Sequence, residues 1–181
     1  MSDPALHSIL PPSSAARNIQ CPGSTTFEAR YPEDGSGVEA AEGEAAHWVL
    51  AERMAERIND EGVIAPNGVV VTEEMCEAAE DLYEDVAATL ARYGLTVAHA
   101  RCEVRVAIPR VHAQCWGTPD IHVVVQLPNG RFLVIVYDFK FGHGIVEVYE
   151  NPQLIDYGCG VASTYGLDET KTDTLFKIAQ P

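Results

Sequence analysis

The chain has 181 residues, 46% of them hydrophobic and 22% charged, a balance expected of one globular domain able to bury its own core. No run approaches the roughly 20 apolar residues of a membrane span. The start, MSDPALHSILPPSSAARNIQ, lacks the basic opening and apolar core of a secretory signal, so a cytoplasmic protein is expected. A formal net charge of −15 counts against a surface that grips nucleic acid by broad phosphate neutralisation, unless the basic residues gather in one cleft.

The cysteines, Cys21, Cys76, Cys102, Cys115 and Cys159, are odd in number and widely spaced. That pattern argues against a disulfide framework and against a zinc site, and it suits small buried apolar side chains. In chain order, residues 1–12 read as extended. SSAARNIQCPGS (13–24) reads as a short helix capped by Ser13 or Ser14 and stopped before Pro22-Gly23. Residues 28–37 have loop composition, and 38–60 carry a long Ala- and Glu-rich helical pattern with Gly43 as its weak point. After a loop with a candidate short strand, 72–94 form a second long helix. Thr72 is its cap, Glu73 and Glu74 suit its positive end, and Gly94 suits its stop.

The periodicity then turns to strands. Residues 95–108 alternate, with Cys102, Val104, Val106 and Ile108 on one face and Glu103 and Arg105 on the other. DIHVVVQL and RFLVIVYDFK flank Pro128-Asn129-Gly130, a hairpin signal. GIVEVYE reads as another short strand. Residues 151–166 read as a helix with Asn151 as cap, Pro152 in its first turn and Gly166 as its end, and 174–179 as a last strand. Two helices, several strands, a helix and a strand define a layered α/β or α+β domain. Its expected divisions are an N-terminal segment (1–37), two long helices (38–94) and a sheet with its helix (95–181).

The hairpin carries charges where apolar strands end. Asp138 and Lys140 lie two apart on β-spaced backbone and share a face. A turn centred on Asn129-Gly130 sets residues whose numbers sum to about 259 opposite one another, which brings Asp120 roughly to Lys140 and its neighbours. Facing carboxylates repel unless a divalent cation joins them, and hard oxygen donors suit Mg²⁺ or Mn²⁺. A lysine beside them could position a water or stabilise developing charge. The bland alternative is a buried Asp–Lys ion pair closing the sheet.

Pro119-Asp120 followed by Asp138-Phe139-Lys140 resembles the PD-(D/E)XK nuclease motif. Three further stretches, in family order, resemble its RecB-like exonuclease branch, as found in phage-type and CRISPR-associated nucleases. They are SSAARNIQCPGS at the entrance, Gly43-Glu-Ala-Ala-His47 on the first long helix, and Gln153-Leu-Ile-Asp-Tyr157 after the strands. The resemblance implies a restriction-endonuclease-like core, a central mixed β-sheet flanked by helices. It implies that His47, Asp120, Asp138 and the Phe139 carbonyl hold Mg²⁺ or Mn²⁺, that Lys140 is the catalytic lysine, and that Gln153 and Tyr157 orient DNA and the lysine. Ser13, Ser14 and Arg17 would contact DNA, and Glu103 is a further candidate ligand. Read alone, His47 is an ordinary partly buried helical histidine, Gln153 and Tyr157 are ordinary helix residues, and Glu103 pairs with Arg101 or Arg105.

The implied activity is metal-dependent hydrolysis of DNA, single-stranded or at duplex ends, by an exonuclease of phage-type recombination, replication or DNA processing, working in a host cytoplasm if phage-encoded. Three features depart from the pattern. A [4Fe–4S] cluster of the kind some relatives carry needs four thiolates, and only Cys159 follows Tyr157. The early end after TLFKIAQP suggests a truncated chain or a minimal core. The acidic charge suggests a second reading, a catalytically silent nuclease-fold protein that binds nucleic acid or a partner protein, or an enzyme that needs a partner or a second copy.

Overall fold

A computed structural model of the protein describes residues 8–30, 37–57, 60–142 and 144–181. After a single 3₁₀ turn at Pro12–Ser14 come helices α1 (Ala15–Gln20) and α2 (Ser24–Glu28). The expected cap is absent: Ser14 precedes α1 without a capping bond, and its hydroxyl instead accepts from Arg17 at 3.0 Å. Asn18 Oδ1 ties the two short helices by accepting from Ser24 and Thr25. The expected loop at 28–37 falls largely outside the described residues.

Helix α3 spans Val38–Met54 and stops short of the expected residue 60, with Glu56 already in left-handed backbone at φ 57°. Ile64 and Val70 form one antiparallel bridge in the loop that follows. Helix α4 spans Glu73–Ala91, and the Thr72 side chain caps it by accepting from the Met75 N–H.

The alternating stretch 95–108 is not one strand. It holds a 3₁₀ turn at Val97–His99, then β1 (Arg101–Cys102) and β2 (Val106–Ala107). The break falls at Glu103, whose φ of 50° is incompatible with a continuous strand. β2 pairs instead with β3 (Trp116–Gly117), a partner too short for periodicity to reveal. β4 (Ile121–Gln126) and β5 (Phe132–Phe139) form the expected antiparallel hairpin. Leu133 through Phe139 are all buried, as a strand covered on both faces requires. GIVEVYE, in contrast, forms no strand among the described residues, and Ile145 there is 96% exposed. Helix α5 (Pro152–Thr164) follows, capped by Asn151, whose side chain accepts from the Gln153 and Leu154 N–H groups. β6 (Thr172–Ala179) closes the order.

The backbone groups into two compact units, each built from separated stretches. The first takes residues 1–34, 103–138 and 147–177. Within it β4, β5 and β6 lie side by side in that order. Arg131, just before β5, is bonded to Asp173 near the start of β6, and Tyr137 to Lys177 further on, so β5 and β6 run parallel with α5 as their crossover. One antiparallel and one parallel pairing make the sheet mixed. Helix α5 packs closely on β6 and on β2: a Cβ at Gly158 would come within 2.9 Å of the Phe176 ring, and one at Gly160 within 2.8 Å of Val106. The chain is therefore of mixed α and β structure, with helices against a mixed sheet.

The second unit takes residues 35–102, 139–146 and 178–181. In it α3 and α4 pack together, with Ala46, Val49 and Leu50 of α3 and Met75, Leu82 and Val86 of α4 buried. Arg53 grips the Glu80 carboxylate with two nitrogens and lies over the Tyr83 ring at 3.4 Å. No helix among the described residues is long and apolar enough to cross a membrane.

Candidate active site

In the first unit, the hairpin register decides what meets at the open end of β4 and β5. Ile121 pairs with Tyr137, so opposed residue numbers sum to 258, and the next pair on that register is Asp120 with Asp138. The expected sum of about 259, which set Asp120 near Lys140 and its neighbours, is sharpened to 258 by the turn: Leu127 and Arg131 close it with a 2.8 Å bond, and Gly130 adopts φ 78°. Asp120 and Asp138 therefore lie opposite one another at this end of the hairpin when the register is continued by one residue. Asp138 is 2% exposed, while Asp120, one residue outside its strand, is half-buried.

Helix α5 supplies the next two groups. Gln153 Nε2 donates to Asp138 Oδ1 at 3.0 Å and reaches Tyr157 Oη at 3.4 Å. The spacing of four residues puts Gln153 and Tyr157 one helical turn apart on the same face. Burial is the main force on the Tyr157 phenol and pushes its pKa up to about 12. The Gln153 bond opposes that shift, and the negative charges of Asp120, Asp138 and Asp156 add to it. Tyr157 is therefore a neutral hydrogen-bonding group at physiological pH.

The entrance segment reaches the same place. A Cβ at Gly117 would lie 2.6 Å from Pro12 Cγ and 2.7 Å from Tyr157 Cε1, so this glycine lets the Pro12–Ser14 turn, β3 and α5 converge. Ser13 and Arg17 are exposed and Ser14 is half-buried; Arg17 pairs with Glu28 at 2.8 Å as well as with Ser14. Glu103 donates its backbone N–H to the Asp120 carbonyl at 2.9 Å, with its side chain exposed. One group that alternation alone did not single out is Arg105, whose guanidinium lies 3.8 Å over the Trp116 ring, on the residue before Gly117.

In the second unit, His47, Phe139 and Lys140 line one cavity of about 340 Å³ together with Gly43 and Phe141. The His47 ring meets the Phe139 ring edge-on with centroids 5.4 Å apart. Gly43, four positions before His47, lies next to the Phe141 carbonyl, where an added Cβ would make an ordinary contact at 3.9 Å. Lys140 is held by its backbone, donating to the Ala179 carbonyl at 2.8 Å. His47 and Lys140 thus share a pocket inside one unit, and Asp120, Asp138, Gln153 and Tyr157 share a cluster inside the other. Among the described residues no group of three or more His, Cys, Asp or Glu side chains is placed to hold one ion.

Of the cysteines, Cys115 is buried, with its thiol donating to the Leu10 carbonyl at 2.9 Å and its pKa raised by burial. Cys21 is exposed and the other three are intermediate, so the expectation of buried small side chains holds for Cys115 alone. His122, left without a role by the sequence, is fully buried on β4, and its Nε2 lies 3.2 Å from the Tyr165 hydroxyl.

No solved structure gives a significant match to the chain. A family model described as "Protein of unknown function (DUF2800)" matches residues 7–181, from the entrance segment through the last strand. The match takes in every residue of both clusters, and the chain belongs to the DUF2800 family.

Proposed function

We propose that this protein is a metal-dependent deoxyribonuclease with a restriction-endonuclease-like core, hydrolysing phosphodiester bonds as a RecB-like exonuclease in phage-type recombination, replication or DNA processing. The observation that carries the reading is the bond from Gln153 to Asp138, with Asp120 opposite Asp138 on the strand register and Tyr157 beside Gln153. A structural ion pair closing the sheet would need neither a second carboxylate nor an amide reaching it from a helix. Two opposed carboxylates are hard oxygen donors of the kind that hold Mg²⁺ or Mn²⁺ together with water and phosphate oxygens. The donor set therefore fits such an ion, with Asp120 and Asp138 as its holders and His47 and the Phe139 carbonyl added by the sequence resemblance. The ion would supply charge to a phosphoryl oxygen and acidity to a bound water.

The chain's own residues have distinct tasks in this reading. Asp138, almost wholly out of water, keeps one orientation because Gln153 donates to one of its oxygens. Asp120, half-buried, faces the substrate side. Lys140, the catalytic lysine that the sequence resemblance implies, would stabilise the negative charge that grows on the phosphate as water adds to phosphorus and the ester oxygen departs. Tyr157 stays a neutral phenol and can donate to a phosphate oxygen at neutral pH. Pro12 meets Tyr157 at Gly117, and Ser13, Ser14 and Arg17, which follow Pro12, would contact the DNA backbone as the sequence resemblance implies.

The net charge of −15 favours a second reading, a silent nuclease fold that binds nucleic acid or a partner protein without cutting. The experiment that separates the two is incubation with linear and circular DNA, single- and double-stranded, in Mg²⁺ or Mn²⁺. The expected result is degradation of linear DNA that Asp120→Ala and Lys140→Ala abolish. Lack of metal-dependent cleavage sensitive to these substitutions would overturn the enzyme reading, and cutting of circular DNA would make it an endonuclease.

A further inference from the structure

Away from the proposed nuclease site, the first unit has a groove of about 330 Å³ between α1, α5 and the loop after β2. Its walls are Leu10, Ala15, Ile19, Pro22 and Val111, and one carboxylate, that of Asp156, stands among them. The rim is apolar and open: Ile19 is 69% exposed and Val111 45%. Asn18, the other polar group on the wall, has its side-chain oxygen engaged by Ser24 and Thr25.

Asp156 is the unusual member. Burial pushes its pKa up, and among the described residues no hydrogen bond or ion pair reaches its carboxylate. Cations on the neighbouring segments are already matched: Arg17 with Glu28, and Arg110 with Glu169. A partly desolvated carboxylate in an apolar wall is costly alone and becomes favourable when a cation joins it. A lysine or arginine does so while laying its aliphatic stem along apolar surface, and a neighbouring apolar side chain fills the rest of such a groove. The net charge of −15 adds long-range attraction for basic segments.

We propose that this groove docks a segment of a partner protein that carries one lysine or arginine beside a bulky apolar side chain, with the cation on Asp156 and the apolar group between Ile19 and Val111. The groove shares no wall residue with the proposed nuclease site, although Asp156 adjoins Tyr157 and the α1 wall adjoins Arg17, so peptide binding is measured apart from nuclease activity.

The test is panning of a phage-displayed dodecapeptide library on the whole chain, followed by binding of the enriched peptides, made synthetically, to wild type, Asp156→Asn and Ile19→Glu. All three proteins are first compared by circular dichroism melts, since Ile19 is exposed and Asp156 half-buried. Enriched peptides should place Lys or Arg next to Leu, Ile or Phe and bind Asp156→Asn at least about tenfold more weakly. They should also lose binding to Ile19→Glu, although that variant is more acidic than wild type. Peptides that bind Ile19→Glu as well as wild type would reflect general attraction to an acidic protein and overturn the proposal. Enrichment without a cation, or no enrichment, would overturn it too. Self-association of the purified chain that Ile19→Glu abolishes would put a second copy in the groove, with the same consequence.

Discussion

Gln153, in the first turn of α5, donates its side-chain amide to Asp138 Oδ1 at the end of β5 over 3.0 Å, joining a helix to a strand through one buried carboxylate. In the proposed nuclease this bond sets the orientation of a metal-holding oxygen. Gln153→Leu should therefore lower cleavage by about 10–100-fold and shift the Mg²⁺ titration to higher concentration, the range typical of lost supporting bonds to metal ligands. Global stability should fall by about 1–3 kcal/mol, because the substitution takes this donor from the buried Asp138 carboxylate. Steady-state kinetics over a metal series, with urea unfolding as control, check both; unchanged kinetics would remove Gln153 from the site.

The raised Tyr157 pKa has a stability consequence with a definite sign. The folded state holds this proton up to about pH 12, whereas an unperturbed tyrosine releases it near 10.0. The folded chain thus binds more protons between those values, and stability falls as pH rises through that window. The contribution is complete below pH 10, and about 3 kcal/mol is its upper scale for a two-unit shift. Unfolding of wild type and Tyr157→Phe should be compared from pH 9 to 11.5. The stability difference should move in favour of Tyr157→Phe as pH rises; a constant difference contradicts the buried phenol.

Gly117 and Gly160 separate packing from function. A Cβ at Gly117 would enter Pro12 and Tyr157, whereas one at Gly160 would enter Val106 and Ile108. Either alanine should cost about 1–3 kcal/mol, the usual range for overpacking. Gly117→Ala should also reduce DNA cleavage per folded molecule, because Tyr157 must shift, while Gly160→Ala should leave that specific activity near wild type. Thermal melts and specific activity measured together distinguish them.

Asn151 satisfies the N–H groups of Gln153 and Leu154 at the start of α5. Asn151→Ala should destabilise the protein by about 1 kcal/mol. Asn151→Asp, which keeps the acceptor and adds negative charge at the helix start, should restore most of it. Urea denaturation at neutral pH is the measurement.

The elements legible in the sequence are those whose signals are local. Thr72 and Asn151 cap the helices they were expected to cap, and Asn129-Gly130 makes the expected hairpin. The sequence was less informative where a local pattern competes with a distant one. Residues 95–108 alternate like a strand, yet Glu103 takes left-handed backbone and gives its N–H to Asp120, so the segment divides. GIVEVYE has strand composition but remains irregular, with Ile145 and Tyr149 exposed. β3 is two residues long and exists through its pairing with β2.

The sequence by itself determined the order of Asp120, Asp138 and Lys140, the four-residue spacing of Gln153 and Tyr157, and the placement of His47 on a long helix. Those are properties of covalent order and helical or strand period, which local backbone geometry transmits directly. Tertiary structure alone decided the exact register, which sets Asp120 against Asp138, because register depends on how the turn closes and one residue of slip changes every partner. It alone decided that Gln153 reaches Asp138, that Gly117 lets Pro12 and Tyr157 meet, and that Asp156 stands in an apolar groove. Each of these is a contact between residues distant in sequence, fixed by how helices and strands pack and not by any periodicity of the chain.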